Sequence, residues 1–350
     1  MIALNMSYLE IDGSQGEGGG QIVRTAMSLA TILREPVRIT KIRAKRKVPG
    51  LRPQHLQSVL AASRLCNGSL KGAHVGSTEI IYEPGDPRSC LTETIDTGSA
   101  GSISLIAQTI IPISIFCNIK LDLEIRGGTE VSNSPTIDYL ARVVLPVYKG
   151  LCPDISIEIK KRGYYPRGGG IVKIKCAPKQ SNSQIRFREN GIICPLSILS
   201  VSRGLPAHVC DRQIAAARSV LASSIDEDIM SEADFLGDSL SVGSSVLVYK
   251  ASSNCLVGGS SLGMKGKRAE EVGKEAATAF LQEVASSPNV DSHLADMLVT
   301  LLACVEGDNE FTCPAITEHL KTNSDVAKQI TKREVNFIRK DSLWLIRVLQ

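Results

Sequence analysis

The sequence lacks a membrane-length apolar run, a leader segment and paired cysteines. Its longest apolar stretch, 103–117, contains Gln108 and Pro112 and is shorter than the roughly 20 residues of a membrane span. The first thirteen residues carry no basic segment or long apolar run, so no signal peptide is predicted. Ten cysteines are scattered without a C-x-x-C pair, which excludes zinc-finger spacing and a secreted disulfide framework. We therefore expect reduced thiols in a cytoplasmic protein without membrane contact.

Two common nucleotide-binding motifs are also missing. Gly16-x-Gly18 is followed by Gln21, where the dinucleotide fingerprint requires glycine. Gly266-Lys267 is followed by Arg268 instead of the serine or threonine of a P-loop. Any nucleotide site in this chain must therefore be built in another way.

A glycine-rich segment near the N-terminus is the most unusual stretch of the chain. Residues 13–24 read GSQGEGGGQIVR, and a helical apolar pattern starts directly after the glycines. Glycines allow backbone N–H groups to approach an anion at a helix start, where the dipole favours negative charge. The same glycines also suit a plain tight turn between a strand and a helix, and the spacing leaves both interpretations open.

Positive charge is clustered although the net charge is only +4. Five basic residues lie within 41–47 and three more within 160–162. Such runs suggest an anionic partner, although a solvated basic face is as common for a single run. With 43% hydrophobic and 22% charged residues, the remaining composition is that of an ordinary globular protein.

The order of predicted elements is repeated three times. Strands predicted at 36–44, 120–126 and 310–314 each follow one helix and precede another. The second interval between these strands exceeds the first by roughly one hundred residues, which predicts an inserted domain of ordinary size. Its predicted helices are 211–223, with Asp211 as N-cap, and 268–285, and residues 181–183 and 286–289 are the expected crossing points.

Histidine is scarce, so each of the five is a candidate proton carrier or nucleophile. His319 begins the last predicted helix, and His55 holds a comparable place in the first unit. Most such histidines are ordinary polar residues at helix starts. Asp296 lies in an otherwise apolar helix, where a carboxylate is costly unless it is paired or faces solvent near the helix start.

A basic, aromatic and glycine-rich loop at 162–170 leads to a resemblance. Its pattern is Arg162-Gly-x-x-Pro166-x-Gly-Gly-Gly170-x-Val172, which either binds phosphates and bases or connects a hairpin. Together with GSQGEGGGQIVR, RAKRKVPGLRPQHL, HLADM and His319-Leu-x-Thr-Asn323, this pattern resembles the RNA 3′-terminal phosphate cyclases over nearly the whole chain.

The resemblance implies an α/β (α+β) fold with an insert. Three repeated units of two helices and a β-sheet would form a large domain, interrupted before the third repeat by a smaller thioredoxin-like α/β domain. The expected ranges are 1–184 for repeats 1 and 2, 185–287 for the inserted domain and 288–350 for repeat 3.

The resemblance also implies the reaction. ATP would drive conversion of an RNA 3′-phosphate into a 2′,3′-cyclic phosphate through a histidine-AMP and then an RNA-adenylate. His319 matches the nucleophile. The ATP-site positions match Gln108, Pro135, His293, Leu294, Ala295, Asp296 and Met297. The phosphate- or RNA-binding positions match Arg24, Arg43, Arg46, Gln54 and His55. Glu17 matches a ligand of Mg²⁺ or Mn²⁺.

One departure and two rival functions accompany this interpretation. Met297 stands where the family usually has glutamine, and a thioether lacks the donors of an amide. The main rival is a catalytically inactive, cyclase-like RNA-binding factor in ribosomal RNA processing, against which the intact His319 argues. An enolpyruvyl transferase has a related repeat architecture, but the 162–170 loop argues against it.

Overall fold

The computed structural model describes residues 7–178, 185, 187 and 194–350. Helices and mixed sheets alternate along these residues, so the predicted mixed α/β class is confirmed. The expected crossing point at 181–183 and the boundary after residue 184 lie outside the described residues. No helix in the described ranges is long and apolar enough to cross a membrane.

The first sheet carries the glycine-rich segment at its edge. Its strands are β1 (Leu9–Asp12), β2 (Val37–Thr40), β3 (Ser69–Lys71) and β4 (Ile80–Glu83), in the order β1-β2-β4-β3. The parallel pair β1 and β2 is connected through helix α1 (Gly20–Leu33), and helix α2 (Pro53–Leu65) leads to β3. A helical crossover of this kind is what a parallel pair requires.

The second sheet has the same strand order. It comprises β5 (Cys90–Asp96), β6 (Lys120–Gly127), β7 (Ile155–Lys161) and β8 (Gly170–Cys176), in the order β5-β6-β8-β7. Helix α3 (Ile103–Phe116) crosses between the parallel strands β5 and β6. A helical segment follows, made of α4 (Ile137–Tyr139), a π-helical turn (Leu140–Val144) and α5 (Leu145–Leu151). The 162–170 loop joins β7 to β8.

The next four strands form a separate sheet with its own helices. The strands are β9 (Leu196–Arg203), β10 (Ile229–Asp234), β11 (Gly243–Ala251) and β12 (Leu256–Leu262), in the order β10-β9-β11-β12. Helices α6 (His208–Leu221) and α7 (Ala269–Val284) pack on this sheet around Phe280 and Val248, in a small core of their own.

The C-terminal part returns to the large core. Helix α8 (Ser292–Leu302) leads to β13 (Asn309–Cys313), helix α9 (Glu318–Thr331), β14 (Val335–Lys340) and β15 (Leu343–Val348). These strands pair in the order β13-β15-β14. Helix α1 packs against α2, α3 and α9, so helices from distant parts of the chain share one core. Helix α3 is buried along most of its length, as its apolar sequence predicted.

Two local predictions need correction. The strand predicted over 36–44 is wrong beyond Thr40, because Lys41 and Arg43 have positive φ values of 48° and 54° and turn the chain away from the sheet. Asp211 is not an N-cap, since α6 begins at His208 with Ala207 before it. An acidic residue is also favourable inside a first turn, so this signal did not distinguish the two positions. Strand β5 was not predicted, because its outward residues are polar and exposed.

Candidate active site

A cavity of about 960 Å³ opens where α1, α2, α3, α8 and α9 meet. Residues predicted for function from six separate parts of the sequence line this one space. They are Glu17, Arg24, Arg43, Arg46, Gln54, His55, Gln108, Pro135, His293, Asp296, Met297 and His319. Leu294 and Ala295 do not line it, because their side chains are fully buried in the apolar core.

The glycine-rich turn places the N-terminus of α1 in the cavity wall. Gly19 precedes the helix and no side chain caps it, so the first N–H groups of α1 have no side-chain acceptor. A Cβ on Gly20 would lie 2.1 Å from His55 Nε2, and one on Gly19 would lie 2.9 Å from Arg46 Nη2. The approach to the buried His55 requires glycine at position 20, and both contacts surround a positive helix end with cationic and N–H-bearing side chains.

His55 is buried and uncharged at this helix end. Its Nδ1 accepts a hydrogen bond from the Arg52 backbone N–H at 3.2 Å, so the proton of the neutral ring is assigned to Nε2, which faces Gly20. Burial, together with the positive charges of Arg24, Arg43 and Arg52, lowers the pKa of His55 to about 3. His55 is thus a neutral hydrogen-bond donor, and its Nε2 carries a proton and has no free lone pair.

Three arginines contribute positive charge in different ways. Burial lowers the pKa of Arg24 to about 10, so it remains cationic at neutral pH, and among the described residues it has no carboxylate partner. Arg46 pairs with Glu17 at 3.1 Å. Arg43 donates from Nη1 to the carbonyl oxygens of Val48 and Gly50, both at 2.8 Å, and so holds the turn that carries Arg46.

His319 lies on the opposite side of the glycine turn, in the first turn of α9. Its side chain is 39% exposed and its Nε2 lies 3.4 Å from Glu17 Oε2. Burial lowers the pKa of His319, and Arg24, Arg46 and His293 lower it further, while Glu17 opposes the shift. The imidazole is therefore neutral at pH 7, which is the nucleophilic form.

A hydrogen-bonded group behind His319 orients α9. Thr317 caps the helix by accepting from the Leu320 N–H at 2.8 Å, and its hydroxyl donates to Asp296. Asn323 donates to the Asp296 carbonyl oxygen at 2.5 Å and accepts from Thr25 on α1 at 2.8 Å. These contacts join α1, α8 and α9 around the nucleophile candidate.

The burial of Asp296 decides between its two sequence interpretations. Its side chain is buried, so the alternative that it faces solvent is wrong. Burial raises the pKa of Asp296 to about 7, although the Thr317 hydroxyl and nearby His293 favour the charged form. Sequence reasoning missed the role of Thr317, which is a common N-cap residue type but whose partner Asp296 is 21 positions away.

The opposite wall offers a hydrogen-bond donor without an acceptor. The Nε2 of Gln108 on α3 is buried and has no partner among the described residues, although the side chain lines the cavity. A buried amide donor without an acceptor is costly, and a ligand in the cavity would satisfy it. Pro135 also lines the cavity, and the partly buried Met297 lines it from α8.

The 162–170 loop lies outside this cavity. Arg162 is buried and pairs with Glu130 at 2.8 Å, with Asp234 at 3.1 Å and with Asp138, while Tyr164 is also buried. Burial raises the pKa of Glu130 to about 7, against the effect of the neighbouring Arg162. Because Arg162 is buried among three carboxylates, it is not available to bind a phosphate. Within the loop, only Tyr165, Pro166 and Arg167 at the tip are exposed.

No cluster of three or more His, Cys, Asp or Glu side chains converges as a metal site in the part of the chain that the structure describes. Glu17 offers a single carboxylate, which contacts Arg46 and His319. Mg²⁺ is commonly held by one or two carboxylates together with substrate phosphates and water, so this donor set fits a metal that arrives with a polyphosphate.

Known proteins resemble this chain over almost its entire length. Residues 15–337 match the family described as RNA 3'-terminal phosphate cyclase. A protein of that name from Pyrobaculum aerophilum is 40% identical over 97% of both chains. Proteins of the same name from Caldivirga maquilingensis and Pyrococcus abyssi are each 42% identical, over 91% and 90% of this chain and 92% and 91% of their own lengths.

Proposed function

This chain belongs to the RNA 3′-terminal phosphate cyclase family, and we propose that it uses ATP to convert an RNA 3′-phosphate into a 2′,3′-cyclic phosphodiester. The observation that carries the proposal is the position of His319. Its neutral imidazole lines a cavity that also contains a helix N-terminus without a side-chain cap and Arg24, which has no carboxylate partner within the described part of the chain. A nucleophile beside an anion-binding wall is the arrangement that phosphoryl chemistry requires.

The proposed reaction has three transfers. His319 attacks the α-phosphorus of ATP, the bond to the β-phosphate oxygen breaks, and pyrophosphate leaves. An oxygen of the RNA 3′-phosphate then attacks the histidine-bound AMP, and the P–N bond breaks with return of the electron pair to the imidazole. Finally the 2′-hydroxyl attacks the activated 3′-phosphate, loses its proton, and AMP leaves as the cyclic diester forms.

The cavity residues would divide the binding between them. Gln108, Pro135 and the segment 293–297 would hold the nucleotide, and within that segment the lining residues His293, Asp296 and Met297 would make the contacts. The α1 N-terminus, Arg24, Arg46 and His55 would bind phosphates, with Arg43 and Gln54 supporting them. The orphan donor of Gln108 fits an acceptor on the nucleotide, and the uncapped helix end fits a phosphate.

Glu17 is the residue proposed to hold the resident metal. Glu17 would hold Mg²⁺ or Mn²⁺ after exchanging its contact with Arg46, and the ion would neutralise developing charge on the transferred phosphate. The Glu17 carboxylate also lies 3.4 Å from His319 Nε2, so it would help to orient the imidazole in the cavity.

We also propose the division into 1–184, 185–287 and 288–350. Its support is the identical strand order of the first two sheets and the separate core around Phe280. The rival function, an inactive RNA-binding factor, has no support in the three relatives named above.

Incubation with α-labelled ATP and a divalent metal tests the proposal directly. Denatured protein should retain label on His319, and a 3′-phosphorylated oligonucleotide should become resistant to phosphatase, because a cyclic diester has no terminal monoester. An oligonucleotide with a 3′-hydroxyl end serves as the control and should not be cyclised. Label on His55 or His293, or an RNA that stays sensitive to phosphatase, would overturn it.

A further inference from the structure

The exposed tip of the 162–170 loop has no role in the chemistry described above. We propose that Tyr165 and Arg167 bind the single-stranded RNA on the 5′ side of the reacting end, Tyr165 by stacking on a base and Arg167 by pairing with a phosphate. This inference rests on the proposed function, since it concerns the RNA whose 3′-phosphate would occupy the cavity.

The first half of the loop is buried and its tip is exposed to solvent. Arg162 and Tyr164 point into the protein, whereas Tyr165 is 77% exposed and the Arg167 guanidinium has no partner among the described residues. An exposed aromatic ring beside an unpaired arginine is the combination that binds single-stranded nucleic acid without reading its sequence.

The backbone holds this tip in place from both sides. A Cβ on Gly168, whose φ is +66°, would lie 2.6 Å from the Ser99 carbonyl oxygen, so the loop touches the body of the protein. On the other side the Arg167 N–H donates to Ser241 at 3.3 Å, and the Leu240 side chain covers Gly169. Tyr165 and Arg167 therefore stand on a supported platform, which reduces the entropy that binding has to overcome.

Two short paths connect the tip to the cavity. Ser99 is two residues from Gly101, whose Cβ position lies 3.2 Å from Gln54 Cβ in the cavity wall. Tyr164 also forms a bridge with Glu130, and the next five residues, 131–135, line the cavity. The loop therefore lies next to the cavity wall, where an RNA strand leaving the cavity on this side would meet it.

The surface along this route suits RNA rather than a purely apolar partner. Arg52, exposed at the cavity edge, has no carboxylate partner among the described residues. Next to the tip, Leu240 and Val242 are 50% and 61% exposed and would face the apolar surface of a base. Cations alternating with an aromatic ring match the repeating phosphates and bases of one strand.

The test compares RNAs of two lengths. A 3′-phosphorylated dinucleotide reaches only the cavity, whereas a decanucleotide also reaches the loop, so the wild-type protein should bind the decanucleotide more tightly by fluorescence anisotropy. Tyr165→Ala should weaken decanucleotide binding roughly five- to hundredfold, leave dinucleotide binding unchanged, and be rescued by Tyr165→Phe. Arg167→Ala should reduce the slope of log Kd against log salt by roughly 0.7.

A matched control is Arg88→Ala. Arg88 is exposed and precedes β5, at the end of the second sheet opposite the loop, so its loss should change neither slope nor length dependence. Equal affinity for both RNAs, or an unchanged length dependence in Tyr165→Ala, overturns the inference. Normal RNA binding by Tyr165→Ala together with an altered sedimentation coefficient also overturns the inference, because Tyr165 would then contact another protein chain. Labelling of His319 needs no RNA and reports separately on the proposed function.

Discussion

Replacing Gly20 by alanine tests how closely α1 must approach His55. The added Cβ would lie 2.1 Å from His55 Nε2 and 2.6 Å from its Cδ2, whereas ordinary contact begins at 3.4 Å. His55 cannot simply swing away, because its ring is 5% exposed and its Nδ1 is held by the Arg52 N–H. The imidazole or the start of α1 must therefore shift by roughly 1 Å, the difference between these distances.

Two magnitudes follow from that shift. Overpacking of a buried site costs about 1–3 kcal/mol of unfolding free energy, which lowers Tm by a few degrees in a chain of this size. A misplacement of about 1 Å at a catalytic site costs about a hundredfold in rate. We therefore expect Gly20→Ala to fold and to lose about two orders of magnitude in the rate of His319 labelling by α-labelled ATP.

The assay pairs this labelling rate with thermal unfolding. Gly150→Ala is the matched control, because its Cβ meets nothing within 4 Å in the last turn of α5, so alanine should fit there without loss of stability. In the His55→Ala background the clash disappears, so Gly20→Ala should then cost almost no stability. Equal destabilisation in both backgrounds, or normal labelling by Gly20→Ala, would refute the reasoning.

Three further predictions concern the same cavity. His319→Ala should abolish labelling and leave Tm nearly unchanged, because the side chain is 39% exposed. The control His293→Ala should still be labelled at His319. Labelling of the His319→Ala protein would contradict the assignment. The pKa of His55 is about 3 in the folded state against about 6.5 when unfolded, so the unfolded chain takes up a proton first and stability should fall as pH drops from 6.5 toward 3. Thermal melts of His55→Gln should show a shallower fall over that window, and an identical pH profile would count against a buried neutral His55. Arg46→Ala should weaken RNA binding equally for different sequences and flatten its salt dependence, measured as the slope of log Kd against log salt. Arg43→Ala should lower Tm as well, because Arg43 holds two carbonyl oxygens of its own turn, and a selective loss for one terminal base in either variant would indicate base readout instead.

The sequence alone determined the helices and the identity of the family. The apolar run of α3 predicted a buried helix because most positions are hydrophobic and none is charged, and a buried helix needs no polar face. The long motifs around Gly16, Gln54, Arg162 and His319 identified the family, since residue type and spacing along the chain are sufficient for that. The ends of strands were harder to predict from the sequence, because the turn after Thr40 depends on positive φ values that Lys41 and Arg43 adopt under tertiary constraint.

Only the tertiary structure decided which side chains share a space and which are withdrawn from it. Arg162 and Arg46 look equally basic in the sequence, yet Arg162 is buried among three carboxylates while Arg46 reaches the cavity beside Glu17. His55 and His319 both lie at helix starts. The Arg52 backbone N–H donates to Nδ1 of His55, whereas Nε2 of His319 faces Glu17. Burial, charge and hydrogen-bond partners depend on neighbours that are distant in sequence, so the sequence alone could not distinguish the environments of these two histidines.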